Sequence, residues 1–153
     1  MTRWLNKEQQ KHWRAWIATS ILLTDRLSRE LQDSNNLTIN DYEILVRLSE
    51  SEGRAMRMSE LASQTLLSRS RLSHQIDRME KAGLVERTVC DTDRRGQVAQ
   101  MTELGWQTLV KAAPDHVESV RQHCVDILTD EEFAALGIAL RKIADHLESL
   151  DGK

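Results

Sequence analysis

Residues 68–105 carry the sequence SRSRLSHQIDRMEKAGLVERTVCDTDRRGQVAQMTELG, in which a helical pattern passes directly into a strand pattern. The first part favours an amphipathic helix that follows Ser68 as N-cap and ends near Gly83, because its apolar residues recur at three- and four-residue steps. These apolar residues are Leu72, Ile76 and Met79. The β-prone segments LVERTVC and QVAQM follow, separated by charged residues and a glycine, and they predict a two-stranded hairpin.

A second short helix is predicted just before this stretch. Ser59 precedes ELASQTL as a candidate N-cap, and a tight turn joins the two short helices. Two helices with this spacing are typical of a helix-turn-helix, and a hairpin directly after them gives the winged form. The expected fold class is therefore mainly α with a small β-hairpin wing (α+β).

The polar face of the second short helix is the candidate DNA-reading surface. A helix that enters the major groove needs such a face, because base edges are read by hydrogen-bonding side chains. A merely solvated helix would show the same pattern, and it is the hairpin behind it that favours DNA binding. The residues predicted to contact DNA on and just before this helix are Ser68, Arg69, Ser70, Arg71, Ser73, His74, Gln75 and Arg78.

The tip of the hairpin, DTDRRG, places Arg94 and Arg95 next to each other. The planar guanidinium group suits phosphate, and a narrow A·T-rich minor groove attracts arginine through its enhanced negative potential. Asp93 stands two residues before Arg95 and could hold that guanidinium extended, as a brace. A solvated surface turn is the alternative. We expect both arginines to contact DNA.

The distribution of charge agrees with a nucleic-acid partner. The 153 residues have a formal net charge of −3, yet residues 54–97 carry 9 basic and 6 acidic side chains. Local charge decides whether a phosphate backbone is attracted. The polar N-terminus and the lack of a long apolar segment favour a cytoplasmic protein without a membrane span. Cys90 and Cys124 are too few for a disulfide framework, and each is expected to be a small core residue.

The two ends of the chain are predicted to be long amphipathic helices. One covers about 6–33, and the others cover about 103–127 and the segment after Thr129, which opens a capping box with Glu132. The middle region is large enough to form its own core, so the apolar stripes of the end helices favour a homodimer interface. Tail helices folded back on their own domain are the alternative. We therefore assign 1–37 and 103–153 to dimerisation and 38–102 to the winged helix-turn-helix.

These motifs together resemble the MarR (multiple antibiotic resistance regulator) family of bacterial transcription factors. EKAGLVER, then D-x-D-R-R-G and MTELG, stand in the order of that family's wing, and LTINDYEILVRL is similar to its second helix. The resemblance covers nearly all of 1–153, and it implies a homodimer, a palindromic operator in double-stranded DNA and often a small aromatic or phenolic effector. It also implies a base-reading surface at Ser70, Arg71, Ser73 and His74, and a wing-tip arginine at Arg95.

The tryptophans of the first helix raise the question of where an effector would bind. Packing in the core or in the dimer is one interpretation of these side chains. The other is an aromatic wall of an effector pocket between the dimerisation and DNA-binding parts. The candidate pocket residues are Trp13, Trp16, Ser20, Tyr42 and Leu45.

The function predicted from the sequence is a dimeric, sequence-specific transcriptional repressor. An alternative is a winged helix used only for protein–protein contact, which would not need the polar helix face or the wing arginines. A catalytic protein would need clustered titratable groups, a nucleophile motif or a phosphate-binding loop, and none is present. We expect no enzymatic activity, no cofactor and no metal site.

Overall fold

Six helices and three strands form the parts of the chain that the computed structural model describes, residues 1–90 and 93–151. The side chains of Cys90, Asp93, Arg94, Arg95 and Asp151 lie outside this description. The helices are α1 (Lys7–Asn35), α2 (Ile39–Ser49), α3 (Met58–Thr65), α4 (Arg69–Lys81), α5 (Glu103–His123) and α6 (Asp130–Asp151). The strands are β1 (Ala55–Arg57), β2 (Val85–Cys90) and β3 (Asp93–Met101). The fold class predicted from the sequence, mainly helical with a small wing, is confirmed.

The ends of the first two helices are fixed by side chains that bond to the backbone. Asn6 and Gln9 form a capping box at the start of α1, and Asn36 ends the helix in the left-handed conformation. Thr38 and Asp41 form the predicted capping box of α2, in which Asp41 N donates to Thr38 Oγ1 at 3.1 Å. Each box satisfies N–H groups that would otherwise lack partners at a helix start.

The segment before α3 differs from the prediction. Residues Ala55–Arg57 form a strand that pairs with β3, and α3 begins directly after it at Met58, with no side-chain cap. The prediction that Ser59 is the N-cap of this helix is therefore wrong. Met56 is buried in the core, so strand pairing and burial fix the chain direction at this point, and no cap is needed to do so.

The wing is a three-stranded antiparallel sheet in the order β1-β3-β2. Met56 pairs with Ala99, and Thr88 of the other outer strand pairs with Val98. α4 joins this sheet through a left-handed glycine, Gly83 (φ +75°), and the N–H of Leu84 donates back to the carbonyl of Met79 at 2.9 Å. This is the Schellman geometry that the glycine predicted.

The last two helices begin at the predicted caps. Thr102 Oγ1 accepts from Gly105 N at 3.0 Å at the start of α5, and Thr129 and Glu132 form a capping box at the start of α6. α5 ends at His123, four residues earlier than predicted, because residues Val125–Ile127 form a separate 3₁₀ turn.

The hydrophobic core belongs to the winged helix, with Leu31 of α1 and Leu109 and Ala112 of α5 packed into it. The chain divides into two compact units, the first ending at His116 and the second beginning at Val117. α6 in the second unit keeps its apolar residues exposed within the single chain, and so does the first half of α1 in the first unit. The exposed apolar residues of α6 include Phe133, Leu136, Leu140, Ile143, Leu147 and Leu150.

Candidate DNA-binding surface

The helix-turn-helix consists of α3 and α4, and α4 presents two contrasting faces. Leu72, Ile76 and Met79 are almost completely buried in the core, as the periodicity predicted. Ser68 is the N-cap, with its hydroxyl oxygen accepting from Arg71 N at 3.3 Å. The residues with exposed side chains at and along the helix are Ser68, Arg69, Ser70, Arg71, His74 and Arg78, while Ser73 is half-buried. The helix therefore offers solvent a face of hydroxyl, imidazole and guanidinium groups.

Gln75 does not lie on this face. Its side chain is only 4% exposed, and its amide nitrogen donates to Asp41 Oδ1 and to Thr38 Oγ1 at the start of α2. Its amide oxygen accepts from the guanidinium of Arg78. The prediction that Gln75 contacts DNA is thus corrected, because a buried amide with partners at both ends is not available to a base edge. The sequence contained an indication of this burial. Gln75 stands three residues after Leu72 and four before Met79, and this helical spacing places it on the same buried face.

Arg87 on β2 ties the wing to α4, and the sequence reasoning missed it. Its Nε donates to Glu80 Oε2 at 3.0 Å, and its terminal nitrogens bond to Asp77 and, at 3.4 Å, to Ser73 Oγ. Burial opposes the charge of Arg87, but the hydrogen bonds that it donates to Asp77 and Glu80 outweigh this effect and raise the pKa of the guanidinium. Ser73 and Asp77 are therefore held by the base of the wing.

Two residues of the wing tip, Asp91 and Thr92, lie outside the described residues. The backbone of β3 begins at Asp93, so Arg94 and Arg95 stand at the start of that strand. Their side chains, and the brace expected between Asp93 and Arg95, are among those not described. The wing contacts therefore stay predictions from the sequence.

A cleft of about 350 Å³ lies beside the exposed face of α4. Two arginines, Arg71 and Arg78, line it together with His74 and with the buried Gln75. Asn40 at the start of α2 and Leu67 of the turn complete the lining. Positive groups therefore gather at the junction of α2 and α4, where an anion would find guanidinium donors.

The five residues of the predicted effector pocket are not brought together in the single chain. Tyr42 and Leu45 are buried in the cluster that contains Leu31, whereas Trp13 and Trp16 are exposed. Trp16 precedes Leu31 by fifteen residues, which is roughly 22 Å along a helix. Ser20 is exposed and donates to the carbonyl of Ile17, within its own helix, at 2.9 Å.

A buried polar cluster lies instead beside Tyr42. The ring of His116 on α5 packs against it at a centroid distance of 4.3 Å. Two buried atoms in this region, His116 Nδ1 and Asn35 Oδ1, have no hydrogen-bond partner among the described residues. Burial lowers the pKa of His116, although the negative charge of Glu43 acts in the opposite direction. Burial also raises the pKa of Tyr42.

Metal-binding clusters and membrane-spanning helices are both absent from the part of the chain that the structure describes. No group of three or more histidine, cysteine, aspartate or glutamate residues there could hold a metal ion. None of its helices is long and apolar enough to cross a membrane. Cys124 is a free, half-buried thiol.

Comparison with known proteins places these features in a family. The family model that describes the MarR family matches residues 35–96. The solved structure of AbsC, a MarR family transcriptional regulator from Streptomyces coelicolor, is 53% identical over 97% of this chain and 99% of its own, with a TM-score of 0.93. Sco3205 from the same organism, solved in complex with DNA, is 44% identical over 96% of this chain and 92% of its own, with a TM-score of 0.94.

A more distant relative is also a transcriptional regulator. The transcriptional regulator PecS from Dickeya dadantii is 28% identical over 82% of this chain and 76% of its own length. The winged helix-turn-helix, its polar α4 face and the near full-length match to AbsC lead to one conclusion. The chain belongs to the MarR family of transcriptional regulators.

Proposed function

We propose that this protein is a homodimeric, sequence-specific DNA-binding repressor that inserts α4 into the major groove of its operator. The observation that carries the proposal is the division of α4 into a fully buried apolar face and an exposed face of short polar and basic groups. Side chains such as His74 and Ser70 can donate and accept hydrogen bonds at base edges, and Arg69 and Arg71 can reach phosphate. The mixed polarity of this face is what base reading requires.

The wing contributes the second part of the DNA contact. Arg94 and Arg95 at the start of β3 are proposed to enter the adjacent minor groove, where a narrow groove concentrates negative potential. The hydrogen bonds of Arg87 to Asp77 and Glu80 support this arrangement, because they fix the base of the wing to the helix that would occupy the major groove. The two elements would then meet DNA as one unit.

The homodimer is proposed to form through α1, α5 and α6. The stripe on α6 from Phe133 to Leu150 is exposed in the single chain, and α1 exposes Trp13, Ile17 and Ile21. Stripes of this size are rarely left in water by a soluble protein, and self-association of identical chains covers them by symmetry. A dimer would read a palindromic operator with half-site centres about one helical turn, 10–10.5 base pairs, apart or a multiple of it.

Release by a small aromatic or phenolic effector is the regulatory part of the proposal. The family resemblance supports it. The cluster beside Tyr42 also offers an aromatic ring and two buried polar atoms, His116 Nδ1 and Asn35 Oδ1, that have no partner within the described part of the chain. Buried polar atoms without partners are costly, and the hydroxyl group of a phenolic ligand could donate to Asn35 Oδ1 or bond to His116 Nδ1. Of the residues first considered for this pocket, Tyr42 contacts His116 and Leu45 is buried in the same hydrophobic core as Tyr42. Trp13, Trp16 and Ser20 are exposed.

A winged helix that contacts only other proteins is the competing function. Such a module has no need of a basic cleft between Arg71 and Arg78 beside α4. The test is selection of bound sequences from a pool of randomised duplex DNA with the purified full-length protein. The proposal expects enrichment of an imperfect palindrome. A pool that stays random after repeated rounds would refute sequence-specific binding.

A further inference from the structure

Gln75 occupies an unusual position for a polar residue of a helix-turn-helix. It belongs to the helix proposed to read DNA, yet its side chain is as deeply buried as the surrounding core. Buried amides are costly unless both the carbonyl and the NH₂ group have partners. Here both have them, and the partners lie on different elements.

The NH₂ group of Gln75 points to the start of α2. It donates to Asp41 Oδ1 and, at 3.4 Å, to Thr38 Oγ1. Both acceptors belong to the capping box, in which the second carboxylate oxygen of Asp41 accepts from Thr38 N at 3.0 Å. One carboxylate therefore caps α2 and holds α4 at the same time.

The carbonyl group of Gln75 points to Arg78, one turn further along α4. Its Oε1 accepts from a terminal nitrogen of the guanidinium. A guanidinium has five N–H donors, and this bond uses one of them. Arg78 is exposed and lines the basic cleft with Arg71 and His74, so donors remain for a ligand in that cleft.

Only an amide satisfies both partners, because it presents a donor to the carboxylate and an acceptor to the guanidinium. A carboxylate at this position would face the negative charge of Asp41, and an apolar side chain would leave Asp41 and Arg78 without this bond. An arginine that is already fixed loses less rotamer freedom when it binds a ligand. The amide thus prepares Arg78 for binding.

We propose that Gln75 is a positioning residue that fixes Arg78 against the capping box of α2. Arg78 then binds a single DNA phosphate in the cleft beside α4. Arg78 then anchors the recognition helix on the backbone and does not read a base. The inference rests on the proposed function. It assigns to Gln75 an indirect role in DNA binding, through Arg78 and without contact to the nucleic acid.

The test is a double-mutant cycle measured by fluorescence anisotropy on two duplexes, the operator obtained by selection and a scrambled duplex of equal length. Arg78→Ala should weaken binding to both duplexes by about tenfold and lessen the salt slope by about one charge. Gln75→Met, which is similar in size and has no amide, should produce a similar loss on both duplexes. The double variant should lose little more than either single variant, because the two side chains act as one group.

Two matched variants separate positioning from general stability. Arg71 lines the same cleft and has no hydrogen bond to Gln75 among those of the described residues. The losses in DNA affinity caused by Arg71→Ala and Gln75→Met should therefore add up in the double variant. Gln75→Glu keeps an oxygen that can accept from Arg78. In that background, Arg78→Ala should therefore still weaken DNA binding by about tenfold. Circular dichroism confirms that each variant is folded at the temperature of the titration.

The outcomes distinguish this inference from the function on which it rests. If the wild-type protein binds operator and scrambled duplex equally, the proposed sequence-specific function has failed. If the wild type discriminates, but Gln75→Met and Arg78→Ala are additive or Gln75→Met leaves affinity unchanged, only the positioning role is overturned.

Discussion

Arg87 on β2 donates hydrogen bonds to both carboxylate oxygens of Glu80 on α4. Its backbone N–H donates to Oε1 at 2.9 Å, and its Nε donates to Oε2 at 3.0 Å. The same guanidinium bonds to Asp77, so one side chain from the wing holds two acidic side chains of the recognition helix. The angle between wing and helix is therefore fixed before any DNA is bound.

Replacement of Arg87 by methionine should destabilise the protein and weaken DNA binding together. The loss in free energy of unfolding should be about 1.5–3 kcal/mol, because hydrogen bonds to charged groups are lost and Asp77 and Glu80 are left facing each other. Chemical denaturation measures the stability. Arg29→Met is the control, since it removes an exposed ion pair with Asp25 within α1 and should cost less than about 0.5 kcal/mol. Equal losses in the two variants would contradict the account.

Gly105 lies in the first turn of α5 against Leu84 and Met101, and its replacement by alanine should be severely destabilising. An added Cβ would lie 2.9 Å from Met101 Cγ and far inside contact distance of the Leu84 carbonyl oxygen, which cannot move aside as a side chain can. We expect a loss of about 3 kcal/mol. Gly83→Ala is the comparison, because its cost comes from the left-handed backbone and should be about 1–2 kcal/mol. Thermal unfolding in the presence of denaturant ranks the two; the reverse order would show that packing around Gly105 is looser than described.

The sequence predicted the helices, the hairpin and the caps at Thr38, Ser68, Thr102 and Thr129, because each depends on local chemistry. It was wrong about the cap of α3 at Ser59. It did not predict β1, because a three-residue strand is too short for any periodicity and forms only by pairing with β3. It placed Gln75 on the wrong face because polarity was given more weight than spacing. The pairing of Arg87 with Glu80 and the contact of His116 with Tyr42 join residues that are distant in sequence, and no local pattern could indicate them.

His116 should make the stability of the protein depend on pH. Burial lowers its pKa below the ordinary value of 6.5, so between these two values the unfolded chain binds a proton that the folded protein does not. The free energy of unfolding should therefore fall as the pH drops below about 6.5. Urea denaturation at several pH values between 7.5 and 5.5 checks this. His116→Phe, which keeps a ring against Tyr42, should flatten the dependence; identical slopes in wild type and variant would contradict a buried neutral imidazole.

The dimer should depend on one face of α6. Leu140 lies on the apolar stripe, and lysine in its place should dissociate the dimer in sedimentation velocity. Ile138 is the matched control, because it is 72% exposed and lies on the opposite side of the same helix, so Ile138→Lys should remain dimeric.

Deletion of residues 1–20, which removes the exposed tryptophans of α1, should yield aggregates or a poorly folded monomer. A well-folded monomer after that deletion would show that folding does not depend on the dimer, and a dimer that persists would refute the role of α1 in the interface.

The most direct test of the central claim is a titration of wild type, His74→Ala and Arg95→Ala against operator and scrambled duplex at two salt concentrations. His74 should meet base edges, so its loss should weaken binding to the operator by about 1–3 kcal/mol and leave scrambled DNA almost unaffected. Arg95 should meet backbone and groove, so its loss should weaken binding to both duplexes and lessen the salt slope by about one charge. Unchanged affinities of both variants for both duplexes would contradict a protein that holds DNA with α4 and the wing.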